Sequence, residues 1–231
     1  MLKLPHAVVT GASSGIGRAI VQRLLHDGWR VTGLCRSMPE DRHPNLRIVQ
    51  ADVAEIAQMP KVCAQITADG APVQALVHAA GFMRVAPLGE LDSAAGAAMW
   101  QLHVQAAEVL ANQLLPHMPD GARIVLIGSR TANGSPTRSQ YAATKAALVG
   151  MARSWAAELA PRGITVNVLA PGATDTPFLR DPARAQTQAR VPPIGRFVQP
   201  EEVAGLAAFL LGPLGGAMTG QHLVMCGGAS L

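Results

Sequence analysis

Aromatic residues make up only 3% of this 231-residue chain, and Tyr141 is its single tyrosine. A core without aromatics must be aliphatic and alanine-rich, which suits close packing of helices on a sheet. Lysine is nearly as scarce: Lys3, Lys61 and Lys145 stand against sixteen arginines. The three cysteines, Cys35, Cys63 and Cys226, are odd in number and lack metal-ligand spacing. They read as reduced, buried residues of a cytoplasmic protein, and no metal site is expected. No run reaches the roughly 18 uninterrupted apolar residues of a membrane helix. The start, MLKLPHAVVTG, leads straight into a strand, so no signal peptide is expected. The net charge of +4 is dispersed, with no basic run interleaved with aromatics, which excludes the usual signature of a nucleic-acid binder.

What is present is a regular alternation. Short β-branched runs at 7–10, 30–35, 47–50, 73–78, 123–127, 165–169 and 222–225 predict strands. Helical patterns fill 15–27, 54–68, 93–118, 139–160 and 200–211. Strands alternating with helices predict an α/β fold: a doubly wound, Rossmann-type parallel sheet of about seven strands with helices on both faces. Apolar runs such as IVLIG and ITVNVLA suit strands covered on both sides. No repeat or linker divides the chain, so one domain over 1–231 is expected. The irregular segment 174–199, with four prolines, reads as a lid over the substrate.

Thr10-Gly11-Ala12-Ser13-Ser14-Gly15-Ile16-Gly17 follows the first strand and opens a helix. Glycines there let the backbone turn tightly and approach a pyrophosphate at a helix N-terminus. The plainer alternative is a glycine-rich turn capped by serine. At the end of the second strand stands Arg36, where an NAD site usually has an acid. A guanidinium suits the 2′-phosphate of NADP(H), unless Arg36 is simply solvated. Asp52, after the third strand, reads equally as an adenine contact or a helix cap.

Tyr141 and Lys145 are four residues apart on one predicted helix, so their side chains share a face. A nearby ammonium favours the ionised phenol and moves its titration toward neutrality, which makes the pair a proton donor and acceptor.

With this pair and the glycine turn at this separation, the chain closely resembles the short-chain dehydrogenase/reductase family. Ala51-Asp52-Val53 looks like the family's adenine-side Asp-Val. His78-Ala79-Ala80-Gly81 lies where the family often has Asn-Asn-Ala-Gly. The segment Pro171-Gly172-Ala173-Thr174-Asp175-Thr176 resembles its nicotinamide-side Pro-Gly segment. The resemblance implies a hydride-transfer enzyme acting on a small-molecule ketone or secondary alcohol. Tyr141 would be its acid and Lys145 would hold the ribose. Ser129, at the end of the fifth strand, would bind the carbonyl oxygen; Ser135 and Ser139 are its nearest rivals. NADP(H) is the expected cofactor, with NAD(H) as the alternative, and a non-catalytic dinucleotide sensor or scaffold is the reading from another class. A homotetramer or homodimer is implied too. Two departures stand out. His103 falls where the family has a catalytic asparagine; it reads either as a relay that titrates near neutral pH or as a histidine simply packed between helices. His78 and Ala79 replace an amide pair that braces the sheet.

Overall fold

The computed structural model describes residues 4–39, 42–181 and 189–231. Seven strands form one sheet: β1 (His6–Thr10), β2 (Arg30–Cys35), β3 (Leu46–Gln50), β4 (Ala75–His78), β5 (Arg123–Ile127), β6 (Thr165–Pro171) and β7 (His222–Met225). All pairings are parallel, in the order β3-β2-β1-β4-β5-β6-β7. Six helices connect them: α1 (Gly15–His26), α2 (Met59–Thr67), α3 (Ser93–Trp100), α4 (Ala106–Leu114), α5 (Ser139–Leu159) and α6 (Pro200–Leu211). This is the expected doubly wound, Rossmann-type arrangement.

The period of two along each strand divides the core between the two faces. Val8, Leu76, Ile124 and Leu126 pack with Leu110 and Leu148 from α4 and α5. Their neighbours Val9, Val77, Val125 and Ile127 pack on the opposite face with Leu24 of α1 and Leu210 of α6. Every residue of β1, and all seven of β6, is buried, which is why these runs are almost continuously apolar. The order reverses between β1 and β4, so the loops leaving those strands diverge and open a crevice at their carboxyl ends.

Two boundaries differ from expectation. The predicted helix at 54–68 begins only at Met59, after a 3-10 turn at Ile56–Gln58, with proline in its first turn. The predicted helix at 93–118 is not uniform. Between α3 and α4 the residues Gln101–Gln105 form a π turn, a widening of the helix that carries His103.

Among the described residues no helix is long and apolar enough to cross a membrane, and no cluster of three metal-ligating side chains occurs. All three cysteines are buried and unpaired as disulfides.

Candidate active site

The glycine turn is built by close approach. Gly11 and Gly15 have φ of +68° and +52°, in the left-handed region that glycine enters freely. A Cβ on Gly17 would lie 2.2 Å from the Gly11 carbonyl oxygen, so the turn can fold onto α1 only without a side chain there. The Gly11 and Ala12 N–H groups donate to the Leu34 carbonyl at 2.9 and 3.3 Å, fixing the turn to β2. Ser14 occupies the position before α1 in extended backbone and makes no capping bond. The serine-cap alternative is therefore not realised, and Ser14 lines a cavity instead.

Thr10 has a bracing task. Its Oγ1 accepts from the N–H groups of Ala79 and Ala80, both at 3.0 Å, and donates to His78 Nδ1 at 3.1 Å. His78 Nε2–H in turn donates to the Leu102 carbonyl at 3.0 Å, inside the π turn. A carbonyl only accepts, which assigns the tautomer. The expectation that replacing the family's amide pair removes a brace is thus corrected. The His78 imidazole itself spans from β1 to the π turn.

A cavity of about 770 Å³ lies at the carboxyl ends of the strands. It brings together the turn residues Gly11, Ser14, Gly15, Ile16 and Gly17 with Ala79, Ala80 and Gly81. On its other sides stand Ser129, Tyr141 and Lys145, and then Pro171, Gly172, Thr174 and Thr176. Thr176 sits over the turn, its Cγ2 3.3 Å from where a Gly15 Cβ would be.

Ser129 follows β5 and begins a short 3-10 turn. Its Oγ accepts from Thr131 N–H at 3.1 Å, which leaves the hydroxyl proton for the cavity. Ser139 is exposed and outside the cavity, whereas Ser135 lines it. Tyr141 and Lys145 are both buried on α5. The Lys145 Nζ lies 5.7 Å from the Tyr141 ring centroid and donates to the Ile127 carbonyl at 2.9 Å. Burial lowers the Lys145 pKa to about 7.

His103 stands behind this pair, fully buried. Phe82 N–H donates to its Nε2 at 3.1 Å, so Nδ1 carries the proton and donates to Thr144 Oγ1 at 2.8 Å. Thr144 passes the chain on to the Tyr141 carbonyl at 2.8 Å. The imidazole also meets the Tyr141 ring edge-on, with centroids 5.6 Å apart. Desolvation, and then the Lys145 and His78 charges, hold its pKa well below the usual value. A relay that titrates near neutral pH is therefore not what this histidine provides; it is a neutral clamp between the Phe82 loop, the π turn and α5.

Five of the sequence-predicted cofactor residues lie outside the cavity wall: Thr10, Ser13, Arg36, Asp52 and Val53. Ser13 hydrogen-bonds the Cys35 thiol. Arg36 is exposed at the end of β2, beside the turn that Leu34 anchors. Asp52 Oδ1 accepts from Ala54 N–H at 3.0 Å, a local turn that ends before the Ile56–Gln58 3-10 turn, so Asp52 caps no helix; Val53 is buried beside it. The segment 174–199, expected to be a lid, is tied at its base by a parallel bridge between Thr174 and Val198. Of that segment, residues 182–188 lie outside the described residues. Several cavity residues escaped the sequence reasoning, Thr137 and Arg138 among them. Thr137 has φ +64°, and Arg138 occupies the position before α5. Their one sequence signal is nearness to Tyr141.

The buried histidines set an acid limit on the fold. His6 is held neutral, its pKa lowered to about 4 by burial and then by Arg30, which donates to its Nδ1 at 3.0 Å. His78 is lowered to about 3 by burial and then by Lys145. Between about pH 6.5 and 3 the unfolded chain binds these protons and the folded chain does not, so stability falls as pH falls through that window. Denaturant unfolding midpoints are expected to drop steadily below about pH 6.5, by several kcal/mol in total. A flat stability profile down to about pH 4 would refute the buried neutral state.

A sheet of this topology, with a phosphate-type turn at its switch point and Ser129, Tyr141 and Lys145 on one cavity, defines a class. A family model described as enoyl-(acyl carrier protein) reductase matches residues 11–230, and the chain belongs to the short-chain dehydrogenase/reductase family. It is 33% identical to the 2,3-dihydro-2,3-dihydroxybenzoate dehydrogenase of Escherichia coli, over 96% of each chain. Identity to the 3-oxoacyl-acyl-carrier-protein reductase FabG of the same organism is 34%, again over 96% of each. Among solved structures, a blue fluorescent protein from a metagenomic library, in complex with NADPH, superposes with a TM-score of 0.88. It shares 34% identity over 98% of each chain. The chain is accordingly an oxidoreductase of this family.

Proposed function

We propose that the chain interconverts a ketone and a secondary alcohol with NADP(H), using Tyr141 as the acid and base. The observation that carries this reading is the shared cavity. One wall is the glycine turn, and the facing wall offers the Ser129 hydroxyl, the only tyrosine and a buried lysine.

The residues fit a dinucleotide. The Gly11–Gly17 turn leaves room for a pyrophosphate against the α1 N-terminus, where partial positive charge and unpaired N–H groups favour an anion. Arg36 is exposed beside it at the end of β2, a position suited to a 2′-phosphate. The bound cofactor supplies the hydride. In the reductive direction Ser129 donates a hydrogen bond to the carbonyl oxygen as negative charge develops there. Tyr141 then gives its phenolic proton to that oxygen while the carbonyl carbon gains the hydride, and a secondary alcohol results. Lys145 stabilises the tyrosinate left behind, since a cation near that ring favours its ionised form. His103 fixes the backbone of Tyr141 through Thr144 and takes no proton.

The test is a panel of carbonyls and alcohols with both nicotinamide cofactors, followed by nicotinamide absorbance. NADPH is expected to be preferred over NADH by at least about tenfold in kcat/KM, and Arg36→Asp to reverse the preference. A wild type that already favours NADH sinks the reading of Arg36. Tight NADPH binding without turnover across the panel would favour a non-catalytic sensor.

A further inference from the structure

The cavity wall beyond Ser129 and Tyr141 carries arginines and no acid. Arg130, Arg138 and Arg190 line it, while no aspartate or glutamate among the described residues does. Residues 182–188, PARAQTQ, contain no acid either. Some arginines elsewhere meet carboxylates: Arg84 faces Asp181 at 3.8 Å, Arg162 meets Asp120 at 2.9 Å and Arg196 meets Glu202 at 2.6 Å. Arg130 and Arg138 have no such partner among the described residues. Arg130 spends one N–H on the Ala229 carbonyl, at 3.1 Å. Arg138 is half-buried, and its Nε is fully buried without a hydrogen-bond partner.

Several unfavourable features coincide here. A buried unpaired donor has lost its water without gaining a partner, which is unfavourable. Arg138 stands at the N-terminus of the 21-residue α5, the positive end of its dipole, and the first turn of α5 has no acidic residue. Burial, and then the charge of Arg130, lowers the Arg138 pKa. The preceding Thr137 holds φ +64°, a strained conformation for a β-branched residue. Its carbonyl is fixed by Ala86 N–H at 2.9 Å. Cations crowded together, with strained backbone beside them and no internal counter-charge, are what an anion from outside would relieve.

We propose that the substrate is an oxo acid, or in the reverse direction a hydroxy acid. Its carboxylate binds Arg138 and Arg130 while its carbonyl meets Ser129 and Tyr141. This rests on the oxidoreductase reading above. Arg130 directly follows Ser129, and Arg138 lies three residues before Tyr141, so the acid group sits within a few bonds of the reacting carbon. Met83 and Phe178, clustered with Tyr141 and lining the cavity, offer an apolar surface for the remainder.

The experiment compares an oxo acid, its methyl ester and a ketone bearing a phosphate monoester, each with the preferred cofactor. The wild type is expected to favour the acid over the ester by about 100-fold in kcat/KM, the size of lost charged hydrogen bonds. In Arg138→Gln that ratio should collapse to within about threefold, while Arg138→Lys keeps an intermediate ratio. Arg130→Gln serves if Arg138→Gln fails to fold. Equal turnover of acid and ester by the wild type overturns the proposal, and a preference for the phosphate ester overturns the carboxylate assignment. If no carbonyl is reduced at all, the oxidoreductase reading has failed, and calorimetry then decides the anion site. With NADP⁺ present, Tyr141→Phe should bind the oxo acid at least about tenfold more tightly than the ester. Equal affinities refute the site.

Discussion

Tyr141→Phe is expected to lower kcat by about 10²–10⁴-fold, the range of a positioned general acid. The substitution removes one oxygen and keeps the ring. The edge-on contact with His103 at 5.6 Å and the packing against Met83 and Met99 therefore survive. Cofactor affinity should change little, because the turn and Arg36 are untouched. Stopped-assay kcat and a fluorescence titration with NADPH separate the two effects. Unchanged kcat would remove Tyr141 from the chemistry, whereas a matching loss of cofactor affinity would mean that the hydroxyl serves cofactor binding rather than proton transfer.

Lys145→Met should produce a larger contrast: loss of turnover together with a more stable protein. Folding lowers the Lys145 pKa from 10.5 to about 7 by burial. As pH falls through 10.5 the unfolded chain takes up a proton that the folded chain refuses until about pH 7. The penalty thus grows across that window and is fully present below it. The shift corresponds to roughly 5 kcal/mol. Loss of the hydrogen bond to the Ile127 carbonyl, worth about 1 kcal/mol, offsets part of the gain. A net gain of a few kcal/mol is expected at pH 6, shrinking toward nothing near pH 10. Denaturant unfolding of the protein without cofactor at the two pH values reads it. A variant no more stable than wild type at pH 6 would show that the ammonium is better solvated than its burial implies. Activity held at such a cost is the familiar conflict between a strained site and a comfortable fold.

Most of the architecture could be read from the chain because its signals are local. Continuous apolar runs marked the strands, and the glycine turn marked the crevice. The four-residue spacing of Tyr141 and Lys145 required only a helix. What could not be read depends on partners distant in sequence. The π turn lies in an apolar stretch indistinguishable from ordinary helix. It is visible only once Gln101 reaches the Ala54 carbonyl at 2.6 Å and His78 reaches Leu102. The protonation state of His103 follows from Phe82 and Thr144, 21 and 41 residues away. Likewise Thr10, within the glycine motif, looks like a ligand contact until its hydroxyl is found between β1 and β4. Arg138 was one arginine among sixteen; only its neighbourhood singles it out.

The bridge between Thr174 and Val198 reaches further than local geometry. Asp175 N–H donates to the Val198 carbonyl at 2.9 Å, and Val198 N–H donates to the Ala173 carbonyl at 3.0 Å. Residues 173–175 are therefore sewn to Val198 at the neck of the segment. Lengthening such a loop twofold costs only about 0.6 kcal/mol in closure entropy. Insertions and exchanges beyond the neck then leave Thr174 in place. Under the proposed function, substrate range is then free to drift while Thr174 stays on the cofactor side, and one scaffold can be inherited by many chemistries.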